Sequence, residues 1–222
     1  MWERTGVDQV ETAKRRLFEQ LAAEIDDRRV LRAMESVPRS LFVPEEVAHL
    51  AYEDVALPIG HGQSISQPYI VALTLSAARV RPTDRVLEVG AGSGYQAAVL
   101  SGLAASVVSV ERVEALARSA QERLRSLGHA NVEVRLAGDA LGWPEGAPYD
   151  VIVVAAGAPR IPNELLAQLA EGGRLIAPIG SMQSQELMRV VKSPDGLAVT
   201  SLGACRFVPL VGPGAWPERD DF

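Results

Sequence analysis

VLEVGAGSGYQ, residues 86–96, predicts a buried strand that ends in a glycine-rich turn and continues into a helix. The turn holds three glycines, which are Gly90, Gly92 and Gly94. Glycine suits a backbone that bends sharply and that a ligand approaches closely. The G-x-G-x-G spacing differs from the G-x-G-x-x-G of dinucleotide sites, because Tyr95 stands at the sixth position. The stretch therefore favours a ligand site other than a dinucleotide site, with an ordinary strand-helix turn as the alternative.

Three acidic residues stand at or near the ends of successive predicted strands. Glu88 lies two residues before the first glycine, where a carboxylate suits a cationic or amino-bearing ligand and repels a pyrophosphate. Glu111 ends the next strand, at a position where a carboxylate can accept hydrogen bonds from ribose hydroxyls. Asp139 ends the third strand, where it can accept from an adenine amino group. Each acid alone also suits a helix cap or a solvated side chain, but together they indicate a site for S-adenosylmethionine rather than NAD.

Strands and helices alternate along residues 82–212. Strands are predicted at residues 85–90, 106–111, 132–139, 149–156 and 172–180. The fourth of them is almost continuously apolar, as in a strand covered on both faces. Residues 187–212 predict one or two antiparallel strands, joined through a Pro-Asp-Gly turn. The pattern predicts an α/β fold with a doubly wound, Rossmann-like, mostly parallel sheet, antiparallel C-terminal strands and a ligand beyond the carboxyl ends of the parallel strands.

The first 81 residues predict a helical N-terminal extension. Short helices are expected up to about residue 54. The polar stretch GHGQSISQPYIV follows at residues 60–71, and a helix is expected from Pro68 to about Val80. We expect the extension to pack on the sheet, so that residues 1–222 form a single domain with its core at 82–212 and a tail at 213–222.

Composition limits the partners that the chain is expected to have. The net charge is −6 and residues of both signs are interspersed, which argues against a nucleic-acid partner and against a membrane surface. The lone Cys205 excludes an internal disulfide and a thiolate metal cluster, and it suits a reducing compartment. Residues 1–16 contain no apolar signal core. We therefore expect a cytoplasmic protein without a metal site.

Several of these stretches together resemble a known family, the protein-L-isoaspartate O-methyltransferases. The resemblance extends from about residue 32 to residue 212. It is carried by AYEDVALPIGHGQSISQPYIVA, VLEVGAGSGYQAAVL, SVER, APYDVIVVAA and RFVPLVG. The glycine turn alone indicates only a class I methyltransferase, whereas the polar stretch and RFVPLVG are specific to this family.

The resemblance implies a substrate, a cofactor and a set of site residues. It implies methyl transfer from S-adenosylmethionine to the free α-carboxylate of L-isoaspartyl residues in damaged peptides and proteins, by an enzyme that we expect to be a monomer. Ser66 matches the family's active-site serine, and Ser64 matches a position usually occupied by threonine. Val208 matches the wall along which the substrate backbone lies. Ala140 stands where the family often has glycine, in the loop against adenine, and joins the three glycines and three acids in the expected cofactor site.

The implied chemistry fits the absence of a catalytic dyad in the polar stretch. A carboxylate has a reference pKa of about 4, so it is already a nucleophile at neutral pH and needs no general base. The methyl group on a sulfonium is already activated. The protein therefore has to align the reacting atoms and exclude water. Small hydroxyl and amide donors can hold a carboxylate without a tight ion pair that would reduce its nucleophilicity.

The sequence leaves four alternatives open. Ser66 also suits the N-cap of the helix that is entered at Pro68. A relative that methylates aspartate side chains of one dedicated peptide would share these motifs, and a non-catalytic cofactor-binding module would share the glycine turn. A nucleic-acid methyltransferase is disfavoured, because the fourth strand ends in AAGAPRIP and the chain has no evident basic surface.

Overall fold

The computed structural model describes residues 2–217, and their side chains from residue 9 onward. Helix α1 spans Trp2–Glu24 and α2 spans Arg28–Ser36, and two 3-10 turns follow at Arg39–Phe42 and Glu45–Leu50. The prediction of short helices is wrong for α1, which is 23 residues long. Leu17 and Leu21 of α1, and Ile25 directly after it, recur every four residues and are all buried, so the end of the helix is held on the protein by an apolar stripe.

The first part of the polar stretch belongs to a β-hairpin that its sequence did not predict. Strand β1 is Leu57–Gly60 and β2 is Gln63–Ile65, and they pair antiparallel. Three consecutive residues at the turn have positive φ, which is 87° at Gly60, 53° at His61 and 68° at Gly62. Helix α3 follows at Pro68–Ala78, with proline at its first position as expected.

Seven strands form the central sheet. They are β3 Arg85–Val89, β4 Ser106–Glu111, β5 Val132–Leu136, β6 Tyr149–Val154, β7 Leu169–Gly180, β8 Gln185–Ser193 and β9 Gly196–Cys205. Their order is β5-β4-β3-β6-β7-β8-β9, parallel from β5 to β7 and antiparallel from β7 to β9. Helices α4 Tyr95–Ser101, α5 Glu114–Ser126 and α6 Asn163–Gln168 connect the parallel strands. The predicted fold class is confirmed.

The strand order reverses between β3 and β6. The chain moves from β3 outward to β4 and β5, and then returns to add β6 on the other side of β3. In a doubly wound sheet this reversal opens a crevice at the carboxyl ends of the two strands, where ligands bind. The glycine turn follows β3 directly, so the topology places it at this crevice.

Two layers of buried side chains cover the sheet. Val151 and Val153 join the N-terminal helices, α3 and α4 in one cluster, while Ile152 and Val154 join α6 in the other. Because successive strand residues point to opposite faces, the alternating membership assigns one cluster to each face. The extension packs on the sheet through the first cluster. In residues 2–217, no helix combines the length and the apolar character needed to cross a membrane.

A buried arginine fixes α3 to the sheet. Arg174 on β7 donates to the carbonyl of Ala78 at 2.9 Å and to that of Arg79 at 2.6 Å, at the end of α3. It also forms an ion pair with buried Asp84 at 2.6 Å. Arg174 lies about ninety residues beyond these partners in the chain, so the helix that follows the polar stretch is positioned by a long-range contact.

Candidate active site

A cavity of about 400 Å³ lies at the carboxyl ends of β3, β4 and β6. Its walls include Gly90 and Gly92 of the glycine turn, together with Glu88, Glu111, residues 63–66 and residues 208–213. Gly94, predicted as a cofactor contact, does not line the cavity and packs against α5 instead. A cavity of this volume is within the range of sites for small molecules and cofactors. The structure therefore brings the predicted cofactor turn and the predicted substrate serine to one cleft.

The glycine turn is shaped by positive φ angles and by close packing. Gly90, Gly92 and Gly94 have φ of 98°, 53° and 88°, which side chains rarely adopt. A Cβ at Gly92 would lie 3.1 Å from Ile59 of the hairpin, and one at Gly94 would lie 3.2 Å from Leu124 of α5. The sequence predicted that these glycines leave room for a ligand. At these two positions, the missing side chain instead leaves room for a neighbouring side chain of the protein.

Glu111 holds the turn from the end of β4. One of its carboxylate oxygens accepts from the Gly92 N–H at 2.8 Å and the other from the Val113 N–H at 2.9 Å. The side chain lines the cavity, and the residue is only 6% exposed. Each carboxylate oxygen has a second acceptor position, so Glu111 can accept from a ligand hydroxyl while it holds the glycine turn.

Glu88 is fully buried, with 0% exposure, and lines the base of the cavity. It accepts from the hydroxyl of Ser109 and from Gln96 Nε2 at 3.0 Å. Burial raises the pKa of the Glu88 carboxyl to about 7, and the two hydrogen bonds oppose part of that shift. The carboxyl thus changes charge near neutral pH, at a position where a cationic ligand would favour its ionised form.

The third acid lies at the edge of the cleft. Asp139 is exposed and is not among the residues that line the cavity, whereas its neighbours Gly138 and Ala140 are. The loop therefore presents backbone and a methyl group to the cleft. Asp139 remains a predicted adenine contact, in a more solvated setting than Glu111.

A second, smaller cavity of about 220 Å³ adjoins the first. Both cavities are lined by Ser64, Ser66, Ala155 and Val208. Ser64 is exposed and Ser66 is half-buried. The predicted substrate residues thus lie at the boundary between the two cavities, where a substrate group would meet a cofactor group.

Val208 reaches this boundary through backbone pairing. Its carbonyl accepts from the Gly157 N–H at 2.8 Å, and the Leu210 N–H donates to the Gly157 carbonyl at 2.8 Å. Residues 206–212 therefore cross the end of β6 instead of continuing β9, which ends at Cys205. The prediction of a strand beyond Cys205 is wrong. Residues after Cys205 pair with Gly157 instead of continuing the hydrogen bonds between β9 and β8.

The N-cap alternative for Ser66 is also wrong. The N-cap residue of α3 is Gln67, and its side chain makes no capping hydrogen bond. Asp54 instead accepts from the Tyr69 N–H at 2.7 Å. Within residues 2–217, the Ser66 hydroxyl has no hydrogen-bond partner, so it is available to a substrate.

Sequence reasoning missed the contribution of the C-terminal segment. Trp216 and Pro217 line the larger cavity, and the Trp216 indole donates to the Gly157 carbonyl at 3.0 Å. This part of the predicted tail is a wall of the site, while residues 218–222 lie outside the described residues. A tryptophan and three prolines within residues 209–217 are the signal that could have indicated an ordered segment.

The charged lining of the two cavities is sparse. Arg112 lines the first and Arg206 the second, beside the acids already described. Among the described residues that line either cavity there is no histidine or lysine. The geometry thus offers hydroxyl, amide and backbone donors for a carboxylate, together with a buried acid for a cation.

Comparison with known proteins gives a consistent result. The family model described as Protein-L-isoaspartate(D-aspartate) O-methyltransferase (PCMT) matches residues 12–214. A protein-L-isoaspartate O-methyltransferase 1 from Syntrophobacter fumaroxidans is 53% identical over 86% of this chain and 90% of its own length. A protein-L-isoaspartate O-methyltransferase from Protochlamydia amoebophila is 52% identical over 89% of this chain and 95% of its own.

Solved structures agree with these relatives. A protein-L-isoaspartate O-methyltransferase structure has a TM-score of 0.81 at 30% identity, over 91% of this chain and 67% of that one. A putative protein-L-isoaspartate O-methyltransferase beta-aspartate methyltransferase (PCMT) from Plasmodium falciparum, in complex with S-adenosyl-L-homocysteine, has a TM-score of 0.76 at 28% identity. The match covers 88% of this chain and 96% of that chain.

Proposed function

The chain belongs to the protein-L-isoaspartate(D-aspartate) O-methyltransferase family, and from that premise we propose how its cleft works. The protein is an S-adenosylmethionine-dependent methyltransferase that acts on L-isoaspartyl residues of peptides and proteins. We assign the larger cavity to the cofactor and the smaller one to the isoaspartyl residue. The observation that carries this assignment is the position of Ser66, which lines both cavities and has no hydrogen-bond partner within residues 2–217.

The residues of the larger cavity fit the cofactor. The glycine turn supplies a tight backbone cradle, and Glu111 supplies acceptor positions for ribose hydroxyls. Glu88 supplies a carboxyl that can ionise against a positive charge. Asp139 and Ala140 are proposed to contact the adenine end. When bound, S-adenosylmethionine supplies an electrophilic methyl group on a sulfonium.

The chain's own residues hold and orient the isoaspartyl carboxylate. Ser66 is proposed to donate its hydroxyl hydrogen to one carboxylate oxygen, with Ser64 as a second, more exposed donor. Val208 is proposed to flank the substrate backbone, and its segment is held rigid by the pairing with Gly157. A neutral donor leaves the carboxylate nucleophilic, so the site needs orientation and exclusion of water rather than a base.

The product determines the biological role that we propose. The carboxylate oxygen forms a bond to the methyl carbon as the bond from that carbon to sulfur breaks, which yields a methyl ester. The main-chain amide nitrogen that follows the residue can then attack the ester carbonyl and lose a proton, and methanol leaves. The resulting succinimide is opened by water, partly to normal aspartate. Methylation would thereby initiate repair without further work by the enzyme.

One assay tests this function. Methyl transfer from labelled S-adenosylmethionine should occur with a peptide that contains L-isoaspartate and should be absent with the same peptide that contains L-aspartate. Equal transfer to both isomers would favour an aspartate side-chain methyltransferase. Cofactor binding without transfer to either peptide would favour a non-catalytic binding module.

The setting of the reaction is a further proposal. We propose that the protein works as a cytoplasmic monomer, without nucleic-acid or membrane partners. The single cysteine and the interspersed charges, with a net charge of −6, support this. Sedimentation at micromolar concentration tests the monomer, because a dimer would sediment at twice the mass.

A further inference from the structure

We propose that Asp54 is a positioning residue for methyl transfer, because it caps α3 from outside and leaves the Ser66 hydroxyl free for the substrate. This inference rests on the proposed role of Ser66. Asp54 lies before the hairpin, in a segment to which neither the cofactor nor the substrate has been assigned. Its role follows from three observations around the start of α3.

The first observation is a pair of hydrogen bonds to the start of the helix. Asp54 Oδ1 accepts from the Tyr69 N–H at 2.7 Å, and Oδ2 accepts from Gln67 Nε2 at 3.4 Å. The first N–H groups of a helix have no partner within it. A carboxylate accepts from them well, because its negative charge also interacts favourably with the positive end of the helix dipole. Asp54 therefore performs the capping function that a side chain at Gln67 or Ser66 would otherwise perform.

The second observation is that the two residues bonded to Asp54 lie in the wall of the smaller cavity. Ser66, Gln67 and Tyr69 all line the smaller cavity. Asp54, which is exposed and lines neither cavity, thus holds Gln67 and Tyr69 on the C-terminal side of Ser66. A serine that capped its own helix would have its hydroxyl occupied, whereas the external cap keeps that hydroxyl at the boundary of the two cavities.

The third observation is that buried Arg39 anchors the chain next to Asp54, through the carbonyl of Val55. Arg39 is 1% exposed, donates to the Val55 carbonyl at 3.3 Å and lies over the Tyr95 ring at 5.2 Å from its centroid. Burial lowers the pKa of Arg39 to about 10, and the nearby charge of Asp54 is among the groups that oppose that shift. Tyr95 lines the cofactor cavity. The capping segment is therefore held against the wall of the cofactor site.

A double-mutant cycle tests the proposal. We expect Asp54→Ala to lower kcat/KM for an isoaspartyl peptide roughly as much as Ser66→Ala does, by about tenfold or more. The double variant should be little worse than either single variant, because both changes remove the same oriented hydroxyl. Cofactor affinity from calorimetry should stay within about twofold. Additive losses, or unchanged kcat/KM in Asp54→Ala, would overturn the proposal.

Two further variants separate positioning from stability. Asp27 is the N-cap residue of α2 and also accepts from the first N–H groups of a helix, from Arg29 at 3.0 Å and from Val30 at 3.3 Å, and it lines neither cavity. Asp27→Ala should lower the thermal midpoint and leave kcat/KM unchanged. Asp54→Asn keeps one acceptor oxygen and should lose less activity than Asp54→Ala. If Asp54→Ala fails to fold, Asp54→Asn takes its place in the double-mutant cycle with Ser66→Ala. The double variant should again be little worse than Ser66→Ala alone.

Hydrogen exchange gives a readout that does not depend on activity. Asp54→Ala should speed amide exchange in residues 64–70, while Asp27→Ala should not. Suppose that Asp54→Ala shows faster exchange but the wild-type protein methylates no isoaspartyl peptide. This result would contradict the proposed function and would leave the capping role of Asp54 supported. Unchanged exchange in residues 64–70 would count against the role of Asp54 even if the wild-type protein is active.

Discussion

The glycine turn and the polar stretch both line one cleft, and they are held in different ways. Gly92 is fixed by its own positive φ and by Glu111, which lies 19 residues further along the chain at the end of the adjacent strand. Ser66 has no hydrogen-bond partner of its own within residues 2–217, and its neighbours are held by Asp54. The cofactor side is therefore built from contacts that shape the turn, whereas the substrate side keeps its functional group unsatisfied and relies on support from outside.

The largest effect is expected at Glu111, which holds the glycine turn and is the proposed acceptor for the ribose of the cofactor. Glu111→Ala removes an acceptor for the ribose and leaves the Gly92 N–H without its partner. A hydrogen bond to a charged group contributes roughly 1.5–3 kcal/mol, so affinity for S-adenosylmethionine should fall at least ten- to a hundredfold. Calorimetry measures this. Asp139→Ala is the matched comparison, and its loss should be smaller because Asp139 is exposed.

The next effect tests the other side of the cleft. Ser66→Ala removes the proposed charge-assisted hydrogen bond to the substrate carboxylate, so kcat/KM for an isoaspartyl peptide should fall roughly ten- to a hundredfold. Cofactor affinity and thermal midpoint should barely change, because Ser66 neither belongs to the glycine turn nor caps α3. A lower midpoint with normal kcat/KM would show that the hydroxyl stabilises the fold instead.

A smaller effect concerns pH and the buried acid of the cofactor side. With the pKa of Glu88 at about 7, the carboxyl is mostly neutral at pH 6 and mostly ionised at pH 8. Since the ionised form favours a cation, affinity for S-adenosylmethionine should rise by up to about tenfold between these pH values. Glu88→Gln should abolish that rise. Calorimetry at pH 6, 7 and 8 compares the two proteins.

The raised pKa of Glu88 also determines in which direction the stability of the fold changes with pH. Between about pH 4.5 and 7 the folded protein keeps a proton on Glu88 that the unfolded chain releases, so this group's contribution to stability declines as pH rises through that window. Glu88→Gln lacks this decline. Its thermal midpoint relative to wild type should therefore be higher at pH 8 than at pH 5, and the opposite trend would contradict the shift.

The smallest effect is expected from the histidines. No histidine is among the described residues that line either cavity, so His49→Gln and His129→Gln should each change kcat by less than about threefold at saturating substrate and cofactor. His61 has φ of 53°, so asparagine, which tolerates that conformation, is the suitable replacement. Loss of turnover in any one variant would contradict a mechanism without a base.

Local signals predicted part of the lining of the larger cavity. The glycine spacing, the buried strands and the acids at their ends are features of contiguous residues, and the sheet topology brings such strand ends together. The structure confirms the fold class and places Glu88 and Glu111 at the cleft. It leaves Asp139 at the edge, because side-chain direction in a loop is not set by strand periodicity.

The sequence by itself determined the fold class, the glycine turn and, through its motifs, the family. Only the tertiary structure decided what holds the substrate side, because each of those contacts joins two separate segments whose pairing no motif in either segment specifies. Gly157 pairs with the segment around Val208, and Arg174 secures the end of α3. Asp54 provides the cap that the sequence had allowed at Ser66. A pattern within one segment cannot reveal such partners, since hydrogen bonding depends on where distant segments meet after folding.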